Sequence, residues 1–277
     1  MIRELDTLKP YMDFIRDVNA DPAFSDPHLC TPGELEQNLL RAIEKPNDHV
    51  LGVFRDGVLV GLFDFLILPD EKYVEMIAGL SRETAVFAEI ADWLQTSYPG
   101  WQADFVFNPE NRPLRALLEE KGAAFDPVQD RMVFSGALPA VDTAGVELFS
   151  EPCRAQYLAL HDDSSRYWTG EKVLAATERF RVLLAIEDGA VAGYLDVTHC
   201  FDENEPYDLF VREESRRRGW GTKLMAKALE MNRPNGMMLL VDEDNPAAIR
   251  LYEKLGFVRQ PGQDSLTAFW RIGEAEA

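Results

Sequence analysis

The stretch "VFRDGVLVGLFDF" (residues 53–65) returns later in the chain as "AIEDGAVAGYLDV" (residues 185–197). Asp56/Asp188, Gly57/Gly189, Gly61/Gly193 and Asp64/Asp196 coincide in the two copies, all separated by the same 132 positions. In each copy an Asp-Gly pair lies between β-rich apolar runs. That pair supplies the positive φ angles of a tight hairpin turn. A second match follows, between "NRPLRALLEEKGAAF" from Asn111 and "NPAAIRLYEKLGF" from Asn245, each with a glycine eleven positions on, Gly122 or Gly256. Asparagine there reads as a helix N-cap, a short amphipathic helix follows, and the glycine takes a left-handed C-terminal cap. Two matches at nearly one period identify a duplicated unit.

The order of elements is then similar in the two halves. Helices are expected near 9–20, 32–45, 84–97 and 112–121, with strands near 50–55, 58–68, 72–79, 102–107 and 130–135. The second half repeats the order with helices near 151–162, 170–178, 219–231 and 246–254, and strands near 181–187, 190–199, 206–212, 236–242 and 266–272. The fold class is α/β, two tandem repeats each with a mixed central sheet flanked by helices. Turn-rich "SGALPAVDTAG" (residues 135–145) reads as the linker, which gives domains over 1–138 and 145–277.

The chain has 277 residues, 46% of them hydrophobic, enough for a real core. Forty-eight acidic against 28 basic residues leave a net charge of -20. Such a field repels nucleic acid and anionic membranes and mildly favours cationic partners. Cys30, Cys153 and Cys200 show neither metal-ligand spacing nor an even count for a disulfide framework. No metal site is expected. The N-terminal segment is unlike a signal peptide, and no apolar run reaches the ~18 residues of a membrane span, so the expected location is cytoplasmic.

Against this acidity, "RRRGWGTKLM" (residues 216–225) sets three arginines before two glycines, between a strand-like "YDLFV" and a helix-like run. A strand that enters a glycine-containing turn and opens a helix presents unpaired N–H groups and the positive end of a helix dipole. Phosphate oxygens suit that geometry. Gly219 and Gly221 remove the Cβ atoms that would hold an anion off, and Arg216, Arg217 and Arg218 add charge.

"VREESRRRGWGTKL" followed by "NPAAIRLYEKLGF" resembles the GNAT superfamily of acyl-CoA-dependent N-acyltransferases. Arg216, Gly219 and Gly221 match its pyrophosphate motif; Asn245, Tyr252, Gly256 and Phe257 match its second signature. Trp220 departs from it, standing where the family usually carries a medium aliphatic residue. The resemblance implies a fold of two tandem GNAT-like repeats and transfer of an acetyl group from acetyl-CoA to a primary amine. It places the backbone of residues 217–222, including Trp220 and Thr222, around the coenzyme pyrophosphate. Leu209, Phe210 and Val211 would run beside the pantetheine arm, Asn245 would mark the splayed strand end, and Tyr252 would protonate the departing thiolate. The implied partner is a small-molecule or peptide amine.

The remaining roles are expectations of the same kind. Glu205 is the nominal general base, chosen over Glu203 and Asp208 in "FDENEPYDLF". Tyr167 and Trp168, in "HDDSSRYWTGEK" (residues 161–172), are candidates to hold a cationic acceptor by their ring faces. The first half reads "EMIAGLSRETAVFAEI" at the phosphate loop and carries Leu118 at the place of Tyr252, so it is expected to be a degenerate repeat that shapes the acceptor pocket. Direct attack in a ternary complex is the simpler route, since Cys200 has no cationic neighbour in sequence and reads as core. A non-catalytic acyl-CoA sensor and an interaction scaffold are the alternatives.

Overall fold

The computed structural model describes residues 1–163 and 167–273; residues 164–166, within the expected acceptor loop, and 274–277 lie outside the described set. The chain divides into two units. One holds Met1–Asp130, Asp242–Asp244 and the described residues from Pro261 on; the other holds Arg131–Val241 and Asn245–Gln260.

The N-terminal repeat runs β1 (Ile2–Glu4), α1 (Met12–Asn19), α2 (Pro32–Leu35), β2 (Asp48–Arg55), β3 (Val58–Leu68), β4 (Tyr73–Leu80), α3 (Thr84–Ser97), β5 (Gln102–Phe107), α4 (Arg112–Glu120), β6 (Ala124–Phe125) and β7 (Gln129–Phe134). The second runs β8 (Val146–Leu148), α5 (Arg154–Leu158), α6 (Gly170–Ala175), β9 (Phe180–Glu187), β10 (Ala190–Thr198), β11 (Glu203–Asn204), β12 (Pro206–Val211), α7 (Trp220–Asn232), β13 (Gly236–Asp242), α8 (Pro246–Leu255), β14 (Phe257–Arg259) and β15 (Leu266–Arg271).

The repeated Asp-Gly pairs form the hairpin turns, with φ of 49° and 81° at Asp56 and Gly57 and 51° and 79° at Asp188 and Gly189. Positive φ at both central residues matches the right-handed twist of the strands they join. Asn111 and Asn245 cap their helices, accepting from the amides of Leu114 and Ala248. Gly256 ends α8 in the left-handed conformation. Expected helix 151–162 is shorter, a 3-10 turn leading into α5, which stops at Leu158.

Period-two alternation sends neighbouring strand residues to opposite faces. In the N-terminal sheet Phe63 and Phe65 face the apolar sides of α3 and α4, with Phe87, Leu94 and Leu118. Leu62 and Val50 face the other way, toward Ile15 and Val18 of α1. In the C-terminal unit Leu183, Ala185 and Leu195 meet Leu224, Met225 and Leu255 of α7 and α8, while Val182, Leu184 and Tyr194 meet Tyr157 and Val173 of α5 and α6.

The duplication holds, but the last strand does not close the repeat to which the sequence assigned it. β15, expected as the final strand of the second half, lies in the N-terminal sheet, whose order is β1-β2-β3-β4-β5-β15-β6. It pairs antiparallel with β5 from Leu266↔Phe107 to Arg271↔Gln102. Conversely β7, expected to complete the first half, pairs with β14 through Phe257↔Phe134 and belongs to the sheet β11-β13-β7-β14. Side-chain fit accounts for the exchange: Ala268 and Trp270 enter the cluster with Phe105 and Phe107, and Met132 enters the one with Phe257. Residues 135–145 are irregular, as a linker should be, yet the units part at 130/131. No helix among the described residues is long and apolar enough to cross a membrane.

Trp270 is 2% exposed on an interior strand of the N-terminal sheet. Trp270→Ala should cost about 3–5 kcal/mol. Hydrogen exchange should quicken in β5 and stay slow in β9 and β10; the reverse pattern would return β15 to the second repeat.

Candidate functional site

β11 and β12 are almost one continuous run of chain. It pairs parallel with β13 only at Glu203↔Gly236 and Asn204↔Met237. From Pro206 onward it pairs instead with β10, ending at Val211↔Gly193. β12 and β13 therefore belong to different sheets, and a cleft opens between them toward Val211. Gly193 permits the parting strand to lie tight on β10, since a Cβ there would stand 2.5 Å from the carbonyl oxygen of Phe210. Along β12 Leu209 and Val211 pack on the cluster of α7 and α8, and Phe210 on the opposite cluster.

Beyond Val211 the chain makes a 3-10 turn over Glu213–Ser215 and enters α7 through Arg217 and Gly219, with φ of 63° and 87°. The first intrahelical bond runs from Lys223 N–H to the Gly219 carbonyl; no backbone carbonyl among the described residues accepts from the amides of residues 217–222. These donors, with the helix dipole, make the strongest anion-accepting feature of the unit. A Cβ on Gly221 would meet Leu251 at 3.5 Å and Leu209 at 4.0 Å, so the cleft wall begins directly at the helix start.

Glu187 holds the loop in place. Its carboxylate accepts from Ser215 Oγ at 2.6 Å, Arg218 at 3.0 Å and Trp220 Nε1 at 3.3 Å, and these bonds keep it below the usual carboxylate range. Arg218 is thus an anchor of the loop. Arg216 Nε donates to the Val211 carbonyl, and no partner is recorded for Arg217 among the described residues. The Trp220 ring lies against Gly145, where a Cβ would stand 2.9 Å from it. The large side chain therefore braces the loop from Gly145 and Glu187.

Tyr252 lies on α8, its ring 5.9 Å from that of Phe257. Burial, and secondarily the charge of Asp208, push its phenol up to about 12, so it carries its proton at neutral pH. Asp208 stands opposite Asp196 across β12 and β10 and belongs to a buried polar cluster absent from the sequence reading. Tyr194 OH donates to Asp208 at 2.6 Å; Tyr157 OH donates to both oxygens of Asp196 at 3.0 and 3.1 Å. His161 places Nε2 3.0 Å from Asp196 and 3.7 Å from Asp208, and Nδ1 2.7 Å from Asp163. His161, Asp196 and Asp208 bring ligand-type atoms within 4.8 Å of one another, but these atoms are engaged by hydrogen bonds of the cluster itself. Asp208 read as a candidate base and Asp196 recurred as Asp64, but the cluster itself was not legible, because the bonds that join its strands and helices span 14 to 39 residues.

The structure thus brings Leu209, Val211 and Tyr252 onto one apolar cluster, with Gly221 beside Leu209. Asn245 is exposed and its side chain serves as the α8 cap. Glu205 sits at the closed end, its amide and carbonyl bonded to Thr198. Glu203 is paired with the buried Arg131. Lys172 Nζ lies 3.8 Å from the centre of the Tyr167 ring, and Arg179 lies over Trp168 at 5.0 Å. Trp168 also packs on Phe180 at 4.9 Å. Cations of the chain itself therefore lie over the two rings expected to receive an acceptor.

The first repeat has no comparable loop. Only Ser81, Arg82 and Glu83 separate β4 from α3, Arg82 is bound by Asp17 and Asp21, and the acidic Glu83 is the helix N-cap. Asp64, counterpart of Asp196, is fully buried with no hydrogen-bond partner for either oxygen, and its strand neighbour is Ala78 where Asp196 has Asp208.

With this geometry in view, residues 144–257 match the family model described as Acetyltransferase (GNAT) family. The cleft, loop and α8 all lie within that span. Similar folds extend over the whole chain. A GCN5-related N-acetyltransferase from Sphaerobacter thermophilus superposes with a TM-score of 0.67 at 16% identity, covering 99% of this chain and 96% of its own. A tandem GNAT protein from the clavulanic acid biosynthesis pathway gives 0.63 at 16% identity over 100% and 99%. A GNAT-family acetyltransferase from Colwellia psychrerythraea gives 0.54 at 11% identity over 98% and 99%. No curated protein sequence matches the chain. The fold is that of two tandem GNAT-like repeats.

Burial, the largest cause, and the nearby Asp48 push the Asp64 carboxyl from 3.8 up to about 8. Between those pH values the folded chain keeps a proton that the unfolded chain has lost, so stability falls as pH rises through the window. Asp64→Asn should flatten that part of the stability-against-pH curve and raise stability near its upper end, measured by urea unfolding. An unchanged slope would show that Asp64 ionises normally.

Proposed function

We propose that the chain is an N-acetyltransferase that moves an acetyl group from acetyl-CoA to a primary amine by direct attack in a ternary complex, the second repeat carrying the reaction. The observation that carries this reading is the cleft between β12 and β13, with the unpaired amides of residues 217–222 at its mouth and the protonated Tyr252 beside it. The amides, with Arg216 and Arg217, would receive the diphosphate, and the edge of Leu209, Phe210 and Val211 would receive the pantetheine amides. Gly221 fits this role, since its place stays open enough for an anion to approach the backbone.

When bound, acetyl-CoA supplies an acetyl group activated as a thioester. Asp208 accepts the first proton from the acceptor ammonium, leaving a lone pair on nitrogen for the carbonyl carbon. The C–N bond forms and the C–S bond breaks. Tyr252 gives its proton to the leaving sulfur, and the second proton released by nitrogen restores the phenol through solvent. Asp208 is preferred here to Glu205 because its charge acts on Tyr252 while Glu205 sits at the closed strand end. Burial pushes the Cys200 thiol up, away from thiolate, which speaks against a covalent relay through it. The first repeat, with Arg82 bound and Leu118 in place of the tyrosine, is assigned no coenzyme. The acceptor is a small-molecule or peptide amine.

Gly221→Glu should abolish acetyl-CoA binding in calorimetry while the fold survives, because the cradle then carries a negative charge. Tyr252→Phe should keep binding and lower turnover about 10- to 100-fold. Thiol release across an amine panel measures the second effect. Saturable binding with no release under any acceptor would instead favour a sensor, and unchanged release in the tyrosine variant would remove Tyr252 from the chemistry.

A further inference from the structure

The acidic cluster beside Asp208 contains a histidine whose state is dictated by its neighbours. Both ring nitrogens of His161 face carboxylate oxygens, Asp163 at 2.7 Å and Asp196 at 3.0 Å. An ionised carboxylate only accepts hydrogen bonds, so both contacts are satisfied together when both nitrogens carry hydrogen. The proton between Asp196 and Nε2 is drawn to the imidazole by Asp163 on the far side of the ring and by Asp208 3.7 Å away. Asp196 is fully buried and accepts from Tyr157 as well as from His161. With the proton on Asp196 Oδ2 instead, Oδ1 would still accept from Tyr157, so these charges rather than the number of hydrogen bonds set the state of the ring. The surroundings agree: the hydrogen bond to Asp196 and the charges of Asp196, Asp163 and Asp208 raise the imidazole against the opposing effect of burial.

The groups facing this ring come from several elements. Asp163 lies in the loop after α5, and its Oδ1 also accepts from the Gly170 amide at the start of α6. Asp196 and Tyr194 come from β10, Asp208 from β12 and Tyr157 from α5. The Tyr194 ring stacks on the imidazole at 5.2 Å and 15°, while its hydroxyl donates to the Asp208 oxygen that lies 3.7 Å from His161 Nε2. One oxygen of Asp208 is thereby fixed by a hydroxyl and by a nearby cation. With three carboxylates around one imidazolium, the cluster retains excess negative charge, which suits an acceptor that arrives as an ammonium ion.

We propose that His161 is a positioning residue for the transfer reaction: a doubly protonated imidazole clamped between Asp163 and Asp196 that holds Asp208 oriented to receive the acceptor ammonium. The inference rests on the acetyl-transfer reading above. His161 touches neither coenzyme nor acceptor in this arrangement and acts through Asp208.

The direct test is the 15N shift of the two His161 ring nitrogens in the intact protein, which should both report N–H across the pH range just above that where a free imidazole loses its proton. A neutral imidazole across that range would overturn the proposal, whatever the enzyme does. His161→Gln, which keeps a donor but loses the charge, should lower kcat/KM about tenfold or more and change the shape of its pH profile, with acetyl-CoA binding unchanged. A loss of thermal stability with an unmoved pH profile would show a structural role only and contradict the proposal. So would activity lost to a chelator and restored by a divalent ion, because the same atoms would then be metal ligands. Asp208→Asn separates the two levels: full turnover in that variant would sink the base assignment in the proposed function, while the imidazolium signature would still be read independently.

Discussion

The early parting of β12 from β13 is the constraint on which the rest depends. Parallel neighbours normally satisfy their backbone groups along the whole edge; here pairing lasts for Glu203 and Asn204 and then stops. The parted edge needs a partner, and the α7 that bridges the two strands begins with donors that also have none. Both sets of unsatisfied groups would suit the proposed ligand, with amides along its arm and a diphosphate at its end. Glu187, Trp220 and Gly145 fix the loop so that these donors are arranged before any ligand arrives, which reduces the ordering cost of binding.

The duplication shows what can be lost while such a fold is kept. Both repeats retain the hairpin, the capped helix after the fifth strand and a buried aspartate on the hairpin's second strand. In the second, that aspartate is bonded to Tyr157 and His161; in the first it has no bonding partner and takes up a proton instead. The exchange of β7 and β15 carries each strand into the sheet of the repeat that its place in the sequence would not suggest.

Much of this was legible in the sequence because it is local. Turn chemistry at Asp56-Gly57, capping by Asn245 and the glycine before α7 are decided within a few residues, and the structure reproduces them. Strand 266–271 was legible as a strand, but its destination was not: alternation marks the buried side of Trp270 and says nothing about which sheet receives it. Arg218 read as a phosphate ligand because its partner, Glu187, lies 31 residues away. The rings of Tyr167 and Trp168 read as open for the same reason, since their contacts with Lys172 and Arg179 depend on the fold. His161 gave no periodic or motif signal; its meaning comes from Asp196 and Asp208, which reach it through two paired strands.

A structure of the intact chain soaked with acetyl-CoA tests the central claim most directly. The account predicts density in the cleft between β12 and β13, with the diphosphate on the amides of residues 217–222 and the thioester sulfur within hydrogen-bond reach of the Tyr252 hydroxyl. Density confined to the first repeat, or a ligand whose diphosphate leaves those amides unpaired, would contradict it.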